Sequence, residues 1–256
     1  MTPIRHHGSM KTTASLFGVI ALATIAVSGP LNAGQSVVPH AVVELYTSQG
    51  CNSCPPADRV LHELNQEHND LLLLSYHVDY WNYLGWTDPF SDAFYSARQR
   101  EYANHMRERY VYTPQVIING DHVVRATAKQ RIEATSRSLA PLPDVVDIDL
   151  SNSDTTKPAQ GTVTLARSEK SSAASTSLVW MVGFDNEHQR DVLSGENAGK
   201  RLVHANVVRE MIGIGHWDGA RREIPFAMTT PADGGIAVLV QDGRGGPIVA
   251  ASMIRF

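Results

Sequence analysis

Val42-Val43-Glu44-Leu45-Tyr46-Thr47-Ser48-Gln49-Gly50-Cys51-Asn52-Ser53-Cys54-Pro55-Pro56 begins as an apolar strand, breaks at a glycine and sets two cysteines ahead of a helix. The chain has no other cysteine. A bridge between Cys51 and Cys54 would restrict the unfolded chain very little, because that gain grows with the length of the closed loop. Redox chemistry is the better reason for the pair. Cys51 falls at a helix N-terminus, where unpaired N–H groups and the dipole favour a thiolate. Cys54, one turn on, shares its face. The spacing alone does not separate redox from metal binding. The competing reading is a copper- or zinc-binding protein using both thiolates with His77 or His122. A third is a non-catalytic binding protein whose fold is only a scaffold.

Outward from this stretch, residues 42–47 read as a buried strand. The acid within it, Glu44, either lies beneath the thiols and relays their protons or faces water or pairs with a base. Ala57, Val60, Leu61 and Leu64 predict a helix to about Glu67, with Pro55 and Pro56 confined to its first turn. The run 71–76 predicts a second strand, parallel to the first. Residues 77–90 hold five aromatic side chains, Tyr80, Trp81, Tyr83, Trp86 and Phe90, on one connection. They wall a pocket beside the thiols, bind extended peptide, or form a satellite apolar cluster under a long insertion. Residues 94–109 predict a helix with Phe94, Ala97 and Met106 inward and Arg98, Arg100, Arg107 and Arg109 mostly outward. Thr113-Pro114 then opens a hairpin turning at Asn119-Gly120. Ala128, Ile132 and Leu139 mark a closing helix.

Strand, C-x-x-C, helix, strand, helical insertion, Thr-Pro, hairpin and helix together resemble the thioredoxin fold over residues 42–139. The resemblance implies that Cys51 is the attacking thiol and Cys54 the resolving thiol, with Thr113 and a cis Pro114 facing them. The wording VELYTSQGCNSCPPAD, with GENAGKRLVHANVVRE further on, is similar to a narrower group. These are the exported thioredoxin-like proteins classed as a domain of unknown function, a group that implies no particular substrate. The dipeptide Asn52-Ser53 replaces thioredoxin's Gly-Pro, so the redox poise does not carry over.

Past Pro143 the texture changes. Residues 145–150, 162–165, 177–184, 201–211, 223–228, 235–241 and 248–255 read as short strands between turn-rich clusters. The fold class expected is therefore an α/β thioredoxin-like domain over 40–142, a mixed sheet flanked by helices with a helical insertion. A mostly antiparallel β-sandwich-like domain follows over 145–256. The second domain positions a partner or covers the thiol site. His188, His204 and His216 lack close metal-ligand spacing. Gly195-Glu196-Asn197-Ala198-Gly199-Lys200 reads as a turn between strands and not as a phosphate loop.

At the N-terminus, Lys11 precedes an apolar run over 16–27 and a small-residue exit at Gly29-Pro30-Leu31-Asn32-Ala33, which predicts a signal peptide over 1–33. A retained membrane anchor is the competing reading, although the run is shorter than the roughly 20 residues that span a bilayer. Cleavage removes Arg5 and Lys11 and no acid, taking the formal charge from −4 to −6. An acidic exported chain argues against nucleic-acid binding and places the cysteines in the periplasm or outside the cell, where disulfides persist. The expected function is a thiol–disulfide oxidoreductase without a cofactor, a metal or a membrane span after cleavage. Its expected partners are protein or small-molecule thiols and disulfides, with a redox partner not identified by sequence.

Overall fold

The computed structural model describes residues 1–3, 35–152, 154–168 and 176–256. The expected signal peptide lies outside them apart from its first three residues. From Ala33 onward the chain forms one compact unit, a mixed α/β structure with mostly sheet content and, among the described residues, three α-helices.

Strand β1, Ala41–Thr47, is buried along its whole length, as is its parallel neighbour β2, Leu71–His77. Their register runs from Ala41 opposite Leu71 to Thr47 opposite His77. Helix α1, Pro55–Glu67, connects them. Its two prolines occupy the first turn, where no backbone N–H is needed. Ala57, Leu61 and Leu64 of α1 pack on Val43, Leu45, Leu71 and Leu73, the alternate side chains of one sheet face. Strand β3, Gln115–Ile118, pairs antiparallel with the other edge of β1, and β4, His122–Arg125, closes a hairpin on β3. Asn119 and Gly120 both take positive φ at its turn. A side chain at Gly120 would meet the Gly246 carbonyl at 2.7 Å, so only glycine lets these two turns touch. Helix α3, Lys129–Ser138, lies beside α1's face through Ile132.

Helix α2, Ala93–His105, covers the opposite face. Asp92 caps it by accepting the Phe94 N–H. The sequence expectation for this helix is corrected here. Phe94 and Ala97 are exposed, whereas Arg98 is buried with Tyr95, Ser96, Gln99 and Tyr102. The sheet face beneath carries a buried acid and two tyrosines, and a cation satisfies that surface where an alkyl group cannot.

Strands β5, Val146–Leu150, β6, Gln160–Leu165, β7, Ser177–Asp191, β8, Arg201–Trp217, β9, Arg222–Ala227, β10, Gly235–Asp242, and β11, Ile248–Arg255, follow. The larger sheet runs β11-β10-β7-β8-β2-β1-β3-β4, so it crosses the position at residues 143–145 where a domain boundary was expected. The crossing is narrow: β2 and β8 share the pair Ser75–Val207. Side chains finish the edge of β2. Asn206, at φ 48°, donates to the Leu73 carbonyl at 2.9 Å, and Arg255 donates to the Leu71 carbonyl at 3.1 Å. The smaller sheet, β5-β6-β9, packs Ile148, Val163, Leu165, Ile224 and Phe226 against Val179, Met181, Val238 and Ile254 of the larger one.

Candidate functional site

Cys51 and Cys54 form a disulfide with Cα atoms 5.5 Å apart. It sits between the C-terminal end of β1 and the first turn of α1. The Cys54 N–H donates to the Cys51 carbonyl at 3.2 Å, and the Ala57 and Asp58 N–H groups donate to the Cys54 carbonyl. The Cys51 sulfur lies 3.8 Å from the Thr113 carbonyl oxygen, and the Thr113–Pro114 peptide bond is cis. The structure therefore brings Cys51, Cys54, Thr113 and Pro114 to one place. Trp81 of the aromatic connection donates from Nε1 to Thr113 Oγ1 at 2.6 Å. A side chain at Gly50 would press on Trp81 at 3.1 Å, so that glycine admits the connection to the thiol turn. Cys51 is 2% exposed and Cys54 0%, whereas Asn52 and Ser53 between them face solvent.

The turn between β7 and β8 lies against this site. Asn197 Nδ2 donates to the carbonyls of Gln49, at 2.8 Å, and Cys51, at 2.9 Å. Lys200 Nζ holds the other end of that amide at 2.8 Å. Glu196 accepts the Asn52 N–H at 3.4 Å. Ser194 donates to the Gly85 carbonyl at 2.6 Å, tying the same turn to the aromatic connection.

Glu44 is not brought to the thiols. It lies on the α2 face of β1, where Arg98 Nε donates to Oε1 at 2.9 Å and the Tyr102 hydroxyl to Oε2 at 2.5 Å. Arg98 also donates to Gln241 Oε1 at 2.9 Å and Tyr102 at 2.8 Å. Burial opposes the charge on Arg98, but Glu44 together with Tyr102, Tyr46 and Tyr76 outweighs it and holds the guanidinium well above its ordinary value. Of the two readings of Glu44, the pairing with a base is the one this geometry matches.

A different acid occupies the α1 face. Asp58, 3% exposed and one turn beyond Cys54, accepts the Thr47 hydroxyl at 2.8 Å. His204 of β8, 1% exposed, approaches it with Nδ1 3.6 Å from Asp58 Oδ2. The other ring nitrogen of His204 faces the Gln49 side-chain nitrogen at 3.3 Å, and Trp86 Nε1 donates to Gln49 Oε1 at 3.0 Å. Edge to face with His204, at 4.7 Å between ring centres, stands His77, whose Nδ1 meets Asp88 Oδ2 at 2.7 Å. Burial opposes a charge on His77, yet the adjoining Asp88 carboxylate raises it above its ordinary value. Burial likewise opposes the Asp88 charge, and His77 with the Gln49 and Phe90 N–H groups brings it below the usual carboxylate range.

Asp58, His204, Gln49 and Asn197 were not picked out by the sequence. Asp58 carries a usable signal, its i,i+4 spacing from Cys54 on one helix face. His204 and Asn197 meet the thiol turn only through the pairing of β8 beside β2, for which no local pattern exists. His122 lies exposed on edge strand β4. Among the described residues, one group of three potential metal ligands stands close together: Glu67, His68 and Glu133, with no cysteine in it.

The sequence model of a family described as "Protein of unknown function (DUF1223)" matches residues 42–241. No curated protein matches the chain. Among solved structures, a structural-genomics target from Agrobacterium tumefaciens is 31% identical with a TM-score of 0.65, covering 86% of this chain and 95% of that one. HBP35 of Porphyromonas gingivalis is 14% identical with a TM-score of 0.57, covering 84% of this chain and 74% of its own, a likeness of fold alone.

Proposed function

Because the chain belongs to the DUF1223 family of proteins of unknown function, we propose its activity from its own geometry: Cys51 and Cys54 are the redox pair of a thiol–disulfide oxidoreductase acting outside the cytoplasm. The observation that carries the reading is the Cys51–Cys54 bridge at the first turn of α1 with the Thr113 carbonyl beside the Cys51 sulfur. A helix N-terminus stabilises the thiolate that reduction leaves on Cys51. A partner's thiolate attacks Cys51 and displaces the Cys54 sulfur, or in the other direction Cys51 thiolate attacks a partner disulfide and Cys54 resolves it. Thr113 and Pro114 line the approach, and a partner reaches the sulfur by displacing the long Glu196–Asn52 contact. The parallel β1–α1–β2 unit, the β3–β4 hairpin and α3 support a thioredoxin-like first part, and the packing of the smaller sheet on β7, β10 and β11 supports a sandwich-like second part. The signal-like N-terminus supports export.

The test is a trap. The Cys54→Ser protein, exposed to an extract of the compartment it occupies, should accumulate mixed disulfides through Cys51, and the Cys51→Ser protein should not. If neither variant holds a partner, and the reduced native pair is not re-formed by oxidised glutathione, the thiols are inert and the fold is a scaffold.

A further inference from the structure

The contacts from Trp86 to Asp58 have a direction. Indole Nε1–H can only donate, so the oxygen of Gln49 is the end that meets Trp86 at 3.0 Å. The Gln49 nitrogen is then the donor facing His204 Nε2 at 3.3 Å. A ring nitrogen that accepts there carries no proton, so the neutral imidazole is protonated on Nδ1. Nδ1 faces Asp58 Oδ2 at 3.6 Å, and neither atom has a hydrogen-bond partner elsewhere. Asp58 Oδ1 is already held by the Thr47 hydroxyl. The carboxylate thus faces one donor from each half of the chain, one helical turn from Cys54. A surface cleft of about 100 Å³, lined by Pro55, Asp58, Arg59, Arg201, Leu202 and Val203, opens beside it. The other groups around His204 are His77 of β2 with Asp88 behind it, and His188 opposite it on β7, which is paired with Asp185.

We propose that His204 is a positioning residue for the exchange: held as its Nδ1–H tautomer by Gln49 and Trp86, it keeps Asp58 as the carboxylate that receives the Cys54 proton. The proposal rests on the oxidoreductase reading. In the resolving step the Cys54 S–H bond breaks and its proton passes to Asp58. The Cys54 sulfur attacks Cys51 Sγ, the bond from Cys51 to the partner's sulfur breaks, and the partner leaves as a thiolate that takes a proton from water. Asp58 returns its proton to solvent by the cleft, so the net change is one S–S bond exchanged for another.

The experiment uses the reduced full chain and an aromatic disulfide, the dithiobis-nitrobenzoate reagent, whose released thiolate is coloured. The first release reports attack by Cys51 and the second reports resolution by Cys54. The second rate is followed from about pH 5 to about pH 9, where a general base supplies part of the rate. In His204→Leu the second release should fall about tenfold at the acid end and approach the native rate at the alkaline end. That is a profile moved up by about one pH unit, the size expected when a polar N–H facing a buried carboxylate is replaced by an alkyl group. His204→Asn, whose amide N–H stands near the Nδ1 position, should restore the native profile. Gln49→Met, which frees the tautomer without emptying the site, should shift it the same way by less, and it decides the question if His204→Leu does not fold. A second release lowered by one factor at every pH, or left unmoved, overturns the role of His204. A missing first release in the native protein overturns the redox reading and this role with it.

Discussion

Two buried acids sit on opposite faces of one sheet and differ in how completely they are answered. Glu44 has a donor on each oxygen, and the two other nitrogens of its partner Arg98 donate to Gln241 and Tyr102. None of those four side chains is left with an unpartnered buried atom. Asp58, by contrast, leaves Oδ2 open, and His204 Nδ1 and His77 Nε2 beside it are open as well. A buried polar group without a partner costs stability, and the fold keeps three of them within one cluster next to the disulfide. The first network is a strut joining α2 to β1 and β10. The second retains places where a proton can be put down.

The largest effect should come from breaking the strut. Arg98→Ala leaves the Glu44 charge buried without its counter-charge, held only by the Tyr102 hydroxyl, and should cost about 3–5 kcal/mol in urea unfolding. Arg98→Met combined with Glu44→Gln should recover most of that loss. A cost under about 1 kcal/mol would place the pair with ordinary surface ion pairs and dissolve the contrast.

Asp88→Asn sharpens the comparison through pH. The folded protein raises His77 above its ordinary 6.5, so its share of stability is complete below that value and is lost as pH rises through the raised one. It lowers Asp88 below 3.8, so that share is present above 3.8 and lost as pH falls through the depressed value. Between these limits the variant should be less stable by about 1.5–3 kcal/mol, the range for hydrogen bonds to a charged group. The deficit should narrow toward alkaline pH. A deficit independent of pH would mean that the pair is not charged.

The smallest effect concerns the cover. Asn197→Ala removes the donor shared by the Gln49 and Cys51 carbonyls and should cost about 1 kcal/mol. Alkylation of the reduced Cys51 should become faster, because the turn over it is less firmly held. Unchanged labelling would mean that the β7–β8 turn does not govern access.

Much of the architecture could be read from local pattern. The C-x-x-C after an apolar strand and the Asn-Gly hairpin stand where periodicity and turn chemistry put them. The strands after Pro143 begin within two residues of their expected starts, but β7 and β8 run on to 15 and 17 residues, well past the short strands expected there. Helix α2 defeated the same method because its inward face is polar. Tyr95, Ser96, Arg98, Gln99 and Tyr102 carry no apolar stripe, and an arginine there looks solvated until the acid opposite is known. Cys51, Cys54 and Thr113-Pro114 were legible from their spacing and their resemblance to a known arrangement. Glu44 was legible as unusual, but its direction was not: alternation along β1 sends it to the α2 face while Thr47 faces α1. The half of the site from β8 was invisible, because it depends on strands distant in sequence lying side by side.

That side-by-side placement also bears on what a fragment would do. The outer edge of β2 is the sequence LLLLSYH, apolar and without proline. In the whole chain its Leu71 and Leu73 carbonyls are taken by Arg255 and Asn206, and Ser75 pairs with Val207. A chain cut near Pro143 would lose all three partners at once and present that run as an open strand edge. Such an edge is a template for other copies of itself. The later strands therefore serve the earlier ones as a guard against aggregation, and residues 40–142 made alone would be prone to self-association.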